Sequence, residues 1–258
     1  MEGPKYQATY RSCVARSNSH TTLTLDQKKS RLVEIPLLAV LSEPEREALA
    51  NKLMSRRMVK GQPVFLQGDP GDEMYLLLEG RIRICCESIS GREITLCFLT
   101  DGGFFGEMAL LDGEPRSATA FAESKGTLLV LRRADFQSFL MEVPSAGISL
   151  LAFLSGRLRK ANDTIQDLAL LTVRERLAAM LLDLAEREGE PLPDGPGVIL
   201  PKSVSHKALS GLLGTSRETV SRMCSELKEQ NLIAQQGRRV VVLDLEGLRT
   251  IFADAEVR

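Results

Sequence analysis

From Val59 to Leu131 the chain runs through six short segments rich in apolar and β-branched residues: PVFLQ, MYLLLEG, RIRICCE, REITLCFL, SATAFAE and TLLVLR. Turn signals at GDPGD, EGR, ISGRE, TDGG and LDGEP punctuate them. Short strands at this spacing cannot each bury a face alone, so the pattern predicts an all-β sandwich or jelly roll that closes its sheets on each other. After Asp135 the period turns helical. Pro144 opens a long segment in which Leu151, Leu154, Leu158, Ala161, Ile165 and Leu168 recur in steps of three and four, with Gly156 off the stripe. Such a stripe suits either packing on the helix's own domain or self-association. Its narrowness favours self-association, and a symmetric pair would set a two-fold axis along the helix.

Around this centre the rest of the chain falls into place. Residues 1–32, rich in Ser, Thr and charge, read as a flexible tail. Ile35 to Ser55 reads as a helical prelude with Ser42 as N-cap and Pro44 and Glu45 in the first turn. Beyond the long segment, Thr172 to Glu188 predicts a second helix that ends at Gly189 and the loop EPLPDGPG. A short strand VILP follows, then helices over Ser205–Leu213 and Ser216–Gln230 broken at Gly214. A hairpin turning near Gly237 and a last helix from Leu245 to Phe252 complete the chain. The fold class expected is α+β, with a β jelly roll over 33–143, a dimerisation helix over 144–171 and a winged helix-turn-helix over 172–258.

Composition removes several classes of function. With 43% hydrophobic and 26% charged residues in 258, the chain has the make-up of a globular protein. No apolar run is long enough to span a bilayer, and the first thirty residues hold no secretory core, so a cytoplasmic protein is expected. The cysteines, at 13, 85, 86, 97 and 224, form no CxxC pair, and only His20 and His206 could join them. No metal site is expected, and the thiols read as reduced and half-buried or buried. There is no Ser/His/Asp constellation and no P-loop, so no catalytic residues are assigned and the protein is not expected to be an enzyme. Net charge is −1 overall, yet the stretch from Ser203 to Arg239 holds six basic residues against three acidic ones. That local excess suits contact with phosphate.

Two strings carry chemistry. In SHKALSGLLGTSRETVSRMCSEL, Leu209, Leu212 and Leu213 supply the buried face of a first helix. Val220, Met223 and Leu227 do the same for a second, and Gly214 permits the tight turn between them. The second helix exposes Arg217 and Glu218 in its first turn and Arg222 one turn later. A guanidinium fork matches guanine O6 and N7, and a carboxylate accepts from the cytosine amino group, so this trio can read base edges. Two structural alternatives remain: Thr215 and Glu218 also fit a capping box, and Glu218 with Arg222 fits a solvated i,i+4 pair. Lys207 on the first helix, with Arg238 and Arg239 on the hairpin, are placed to meet the DNA backbone.

The second string is FFGEMALLDGEPRSATA. Gly106 lets the backbone approach a ligand, Glu107 can accept from a sugar hydroxyl, and Arg116 with Ser117 can hold a phosphate. Alternatively Glu107 and Arg116 form a buried structural pair.

From Leu38 to Val242 the order of these parts, GEMALLDGEPRSA and GTSRETVSR above all, resembles the CRP/FNR regulators, the family of the bacterial catabolite activator protein. The resemblance implies a cyclic-nucleotide-binding roll, with Glu107 on the ribose, Arg116 and Ser117 on the cyclic phosphate, and Gly106 and Met108 lining the same cassette. It implies that Arg217, Glu218 and Arg222 read a TGTGA-like half-site while Ser216 and Thr219 touch phosphates. Where cAMP-responsive members carry Thr-Ser on the dimer helix to meet adenine, this chain has Ala161 and Asn162. Asn162 can donate and accept; Ala161 can do neither. The tail offers Cys13 and His20 alone, which supports neither an iron–sulfur nor a haem sensor.

The expectation is a homodimeric regulator of double-stranded DNA bound to a palindrome, with cAMP or c-di-GMP as candidate effector and RNA polymerase as a candidate partner. The alternative is a regulator of the same fold that binds DNA with no small effector, its pocket a remnant held by Glu107 and Arg116. A roll serving as the regulatory module of an enzyme or channel is the reading from another class, and the winged domain leaves it no catalytic part.

Overall fold

A computed structural model describes residues 23–88, 93–193, 195–201, 204–237 and 239–256. The chain divides into two compact units, Met1–Arg157 and Leu158–Arg258. Cys13, His20 and Arg238 lie outside the described residues.

The first unit opens with helix α1 (Leu25–Leu32), where the sequence predicted a flexible tail. The correction has a local cause. Thr24 and Gln27 form a capping box, Leu32 is fully buried, and Lys28 Nζ donates to the Leu53 carbonyl at 2.6 Å. A 3₁₀ turn (Pro36–Leu38) leads to α2 (Glu43–Lys52), capped by Ser42 as expected, with Glu45 accepting from the Ser42 N–H at 2.7 Å. The prelude stops short of Ser55, because β1 (Met54–Met58) is already a strand.

Two four-stranded antiparallel sheets follow. One has the order β1-β8-β3-β6, with β3 (Glu73–Glu79), β6 (Phe104–Phe105) and β8 (Gly126–Arg132). The other has the order β2-β7-β4-β5, with β2 (Pro63–Phe65), β4 (Ile82–Glu87), β5 (Glu93–Leu99) and β7 (Thr119–Ala122). Strand β3 is buried on both faces, which explains its unbroken apolar run. Tyr75 and Leu77 enter the roll interior with Phe65, Phe105 and Val130. Met74, Leu76 and Leu78 face outward into a helical layer with Leu49, Phe136 and Leu150.

A short helix α3 (Met108–Asp112) interrupts the roll after β6. Helix α4 (Arg133–Glu142) closes it, and α5 (Pro144–Leu170) follows. Along α5, Ala146 and Leu150 are buried, but Leu151, Leu158, Ile165 and Leu168 are each more than half exposed, and Ala161 is exposed as well. Of the stripe, Leu154 is partly buried against the core of the first unit, while the other five residues are exposed. Among the described residues no single helix is long and apolar enough to cross a membrane.

The second unit packs α6 (Val173–Glu188), α7 (His206–Leu213), α8 (Arg217–Glu229) and α9 (Leu245–Glu256) with a small antiparallel sheet. Its order is β11-β12-β10-β9, with β9 (Glu190–Pro191), β10 (Val198–Ile199), β11 (Ile233–Gln236) and β12 (Arg239–Val242). Leu177, Leu181, Leu209, Leu213, Val220, Leu227 and Val242 form its core. Pairing of Gln236 with Arg239 makes the predicted hairpin, with Gly237 in the left-handed region at φ +61°.

Candidate functional site

The helix-turn-helix is built by small local devices. Ser205 caps α7 by accepting from the Ala208 N–H, and Gly214 ends it at φ +64°, where a residue with Cβ is strained. The cap of α8 is Ser216, whose Oγ accepts from the Thr219 N–H at 3.1 Å, and not Thr215 as the capping-box alternative expected. Val220, Cys224 and Leu227 are buried on one face of α8. The opposite face presents Ser216, Arg217, Glu218 and Arg222 to solvent, with Thr219 half-buried beside them. Among the described residues neither Arg217 nor Arg222 makes an ion pair, so the predicted alternative of a Glu218–Arg222 bridge is not formed.

Lys207 is exposed in the first turn of α7. Arg239 is differently placed: its Nη1 meets Glu190 Oε2 at 2.9 Å and its Nε donates to the Leu200 carbonyl. The arginine placed on the wing is thus engaged inside its own sheet. His206 has its pKa held below the ordinary value, first by partial burial and then by the positive charges of Lys228 and Arg217.

In the roll, Glu107 sits at the start of α3 and is 1% exposed. Its Oε1 takes a 2.6 Å hydrogen bond from Arg157 Nη1, a residue of α5 to which the sequence assigned no role. Arg157 also donates from Nη2 to the Phe104 carbonyl at 2.6 Å, with its guanidinium over the rings of Phe104 and Phe153. Glu107 Oε2 is buried, and among the described residues nothing hydrogen-bonds to it. A buried carboxylate oxygen left over in this way is costly unless something donates to it.

Arg116 does not pair with Glu107. It is 5% exposed and donates from Nη1 to the Gly106 carbonyl at 2.7 Å and from Nη2 to the Glu73 carbonyl at 2.6 Å. Ser117, next along, is exposed, as is Met108, and their Oγ and Sδ lie 3.7 Å apart. A cleft of about 390 Å³ opens on the roll, bordered by Arg56, Phe65, Glu73, Tyr75 and Arg116 but not by Glu107 or Ser117. Arg133, also unassigned by the sequence, holds the cassette from below through the carbonyls of Gly71, Ala109 and Leu110. Ala161 and Asn162 are exposed on α5.

Burial pushes the Cys85 thiol up to about 12 and raises Cys86 and Cys224 as well, which keeps them protonated. Among the described residues no group of His, Cys, Asp and Glu could hold a metal ion.

A roll with a buried cassette followed by a helix-turn-helix is the architecture of a DNA-binding transcription regulator. Comparison with known proteins agrees: residues 55–143 match the cyclic nucleotide-binding domain and residues 175–251 the Crp-like helix-turn-helix domain. The chain is 38% identical over 191 residues to the cyclic AMP receptor protein of Thermus thermophilus, covering 74% of this chain and 84% of that one. Its fold is similar to the c-di-GMP-responsive global regulator CLP of Xanthomonas campestris, at TM-score 0.70 and 26% identity over 79% of this chain and all of that one. A CRP/FNR-family transcriptional regulator from Thermus thermophilus matches at TM-score 0.63 and 30% identity, covering 77% and 98%. The chain belongs to the CRP/FNR family of transcription regulators. Its relatives are regulators and not enzymes.

Proposed function

We propose that the protein is a homodimeric, sequence-specific DNA-binding regulator of a palindromic TGTGA-like site, controlled by a cyclic nucleotide or cyclic dinucleotide. The single observation that carries this reading is the outer face of α8, where Arg217, Glu218 and Arg222 are exposed and, among the described residues, neither guanidinium makes an ion pair. An unpaired arginine fork on a capped helix is ready for guanine, and Ser216, Thr219 and Lys207 stand beside it for phosphate. In this division of labour residues 33–143 sense, 144–171 dimerise and 172–258 bind DNA, while residues 1–32 are left without a role. The stripe Leu151, Leu154, Leu158, Ala161, Ile165 and Leu168 joins two copies, which sets recognition helices one helical repeat apart, roughly 34 Å.

Effector binding draws support from Glu107. Its Oε2 is a buried acceptor awaiting a donor, which a ribose hydroxyl supplies, and Arg116 with Ser117 would take the phosphate. The relatives' names point to cAMP in one case and c-di-GMP in another. Ala161 and Asn162 replace the adenine-facing pair of cAMP-responsive members, so both effectors stay in the proposal. The ligand regulates only through unequal affinity for two arrangements of the dimer.

Gel retardation of a TGTGA palindrome against a scrambled duplex tests the DNA reading, and equal retardation of both refutes it. Calorimetry with cAMP, cGMP and c-di-GMP tests the effector; no heat from any of them favours a regulator without a small ligand.

A further inference from the structure

Arg116 occupies a built seat. Its guanidinium carbon lies 4.2 Å from the centre of the Phe65 ring and 5.9 Å from that of Tyr75. The two rings are stacked at 5.8 Å, and Phe105 closes the cluster at 5.1 Å from Tyr75. The carbonyls of Gly106 and Glu73 each take one amino nitrogen. Two glycines make the room: a Cβ on Gly71 would come within 2.9 Å of the guanidinium carbon, and one on Gly106 within 2.8 Å of Nη1. Glu73 is itself anchored, by Arg56 Nη2 at 2.9 Å and by the Tyr75 hydroxyl at 3.0 Å.

An anion at the exposed Ser117 competes for this guanidinium with the carbonyls and the ring that seat it. The side chain is 5% exposed, and each amino nitrogen already gives one N–H to a backbone carbonyl. We propose that Phe65, backed by Tyr75, is a positioning residue that holds Arg116 in a seat competing with the ligand's anion, so that it sets ligand affinity from behind the cassette. This rests on the reading of Arg116 and Ser117 as the phosphate anchor. The apparent dissociation constant is then the intrinsic one divided by the fraction of chains with Arg116 released.

The test uses the full-length chain carrying Phe65→Leu, which keeps an apolar side chain in the roll but removes the ring face. Nucleotide affinity is expected to rise about three- to tenfold, the scale of a partly desolvated cation–π contact. A second readout is one that a filler role would not move. In arginine-labelled protein without nucleotide, the Arg116 Nε–Hε resonance, assigned through its loss in Arg116→Lys, is expected to be shifted by the ring. It should move toward the free-arginine position both in Phe65→Leu and in the wild type at saturating nucleotide. A wild type that binds nucleotide while Phe65→Leu binds no tighter overturns the proposal and leaves the anchor standing. An Arg116 resonance that does not move on ligand saturation overturns it also, even if the variant fails to fold. A wild type that takes up none of cAMP, cGMP and c-di-GMP removes the anchor reading itself and this proposal with it.

Discussion

Arg157 Nη1 meets Glu107 Oε1 at 2.6 Å, joining a carboxylate that is almost wholly buried to a guanidinium that is about one-third exposed. The pair ties the cassette to the helix that carries the heptad stripe. Removing one partner strands the other, which costs more than the pair contributes. Arg157→Ala is therefore expected to destabilise the chain by about 2–3 kcal/mol, reduced from the fully buried range by the solvent at Arg157. The double variant Glu107→Gln with Arg157→Ala should recover most of that loss in urea unfolding. A double variant as unstable as the single one would mean that packing of Arg157 on Phe104 and Phe153 dominates.

The stripe on α5 makes a separate prediction. Leu158 and Ile165 are 63% and 64% exposed, and a charge at either site would face its own copy across a two-fold axis. Leu158→Glu with Ile165→Glu should sediment as a monomer and lose retardation of the palindrome. Both side chains lie outside the cores of the two units, so the thermal midpoint of the roll should be little changed. A dimer that survives both substitutions would place the interface elsewhere.

Much of this architecture is legible in the sequence because it rests on period and punctuation. The strands from Pro63 onward, the turn at Gly214 and the hairpin at Gly237 follow from short apolar and β-branched runs bounded by turn residues, and from backbone angles that favour glycine. What escaped reading is what depends on partners far along the chain. Strand β1 reads MSRRM and looks like a surface segment, because Arg56 finds its partners, Glu73 and the Tyr75 ring, on a strand far along the chain. Helix α1 carried a visible signal, Thr24 with Gln27 three residues later, within a stretch otherwise rich in polar residues. Arg157 gave a weaker one: a basic residue beside the stripe, of use only once Glu107 is known to be buried. The seat of Arg116 needed coordinates, since Phe65, Gly71, Glu73 and Gly106 converge on it from separate turns and strands.

His206 gives a dependence on pH. Its folded-state pKa lies below the ordinary value near 6.5, through burial first and then through Lys228 and Arg217. Between the folded value and 6.5 the unfolded chain binds more protons, so stability rises with pH across that window and is lost as pH falls through it. Urea midpoints at about pH 7.5 and about pH 5.5 should therefore differ more in the wild type than in His206→Gln. Equal differences in the two would show that this imidazole titrates alike in both states.

Arg217 and Arg239 separate base reading from support of the fold. Arg217 is exposed on α8 and makes no ion pair among the described residues, so Arg217→Ala should cost about 1–3 kcal/mol on the matched palindrome and relax preference at one base pair per half-site. Arg239 was expected from sequence to touch phosphate on the wing, yet it is bound to Glu190 and to the Leu200 carbonyl. Arg239→Ala should then loosen the small sheet, visible as a lower thermal midpoint of the second unit, while leaving the salt dependence of DNA binding unchanged. The decisive measurement is the slope of log affinity against log salt. If Arg239 neutralised a phosphate the slope would fall by about one per lost contact, and every duplex would weaken alike. An unchanged slope with reduced stability assigns Arg239 to the sheet and leaves phosphate contact to Lys207, Ser216, Thr219 and Arg238.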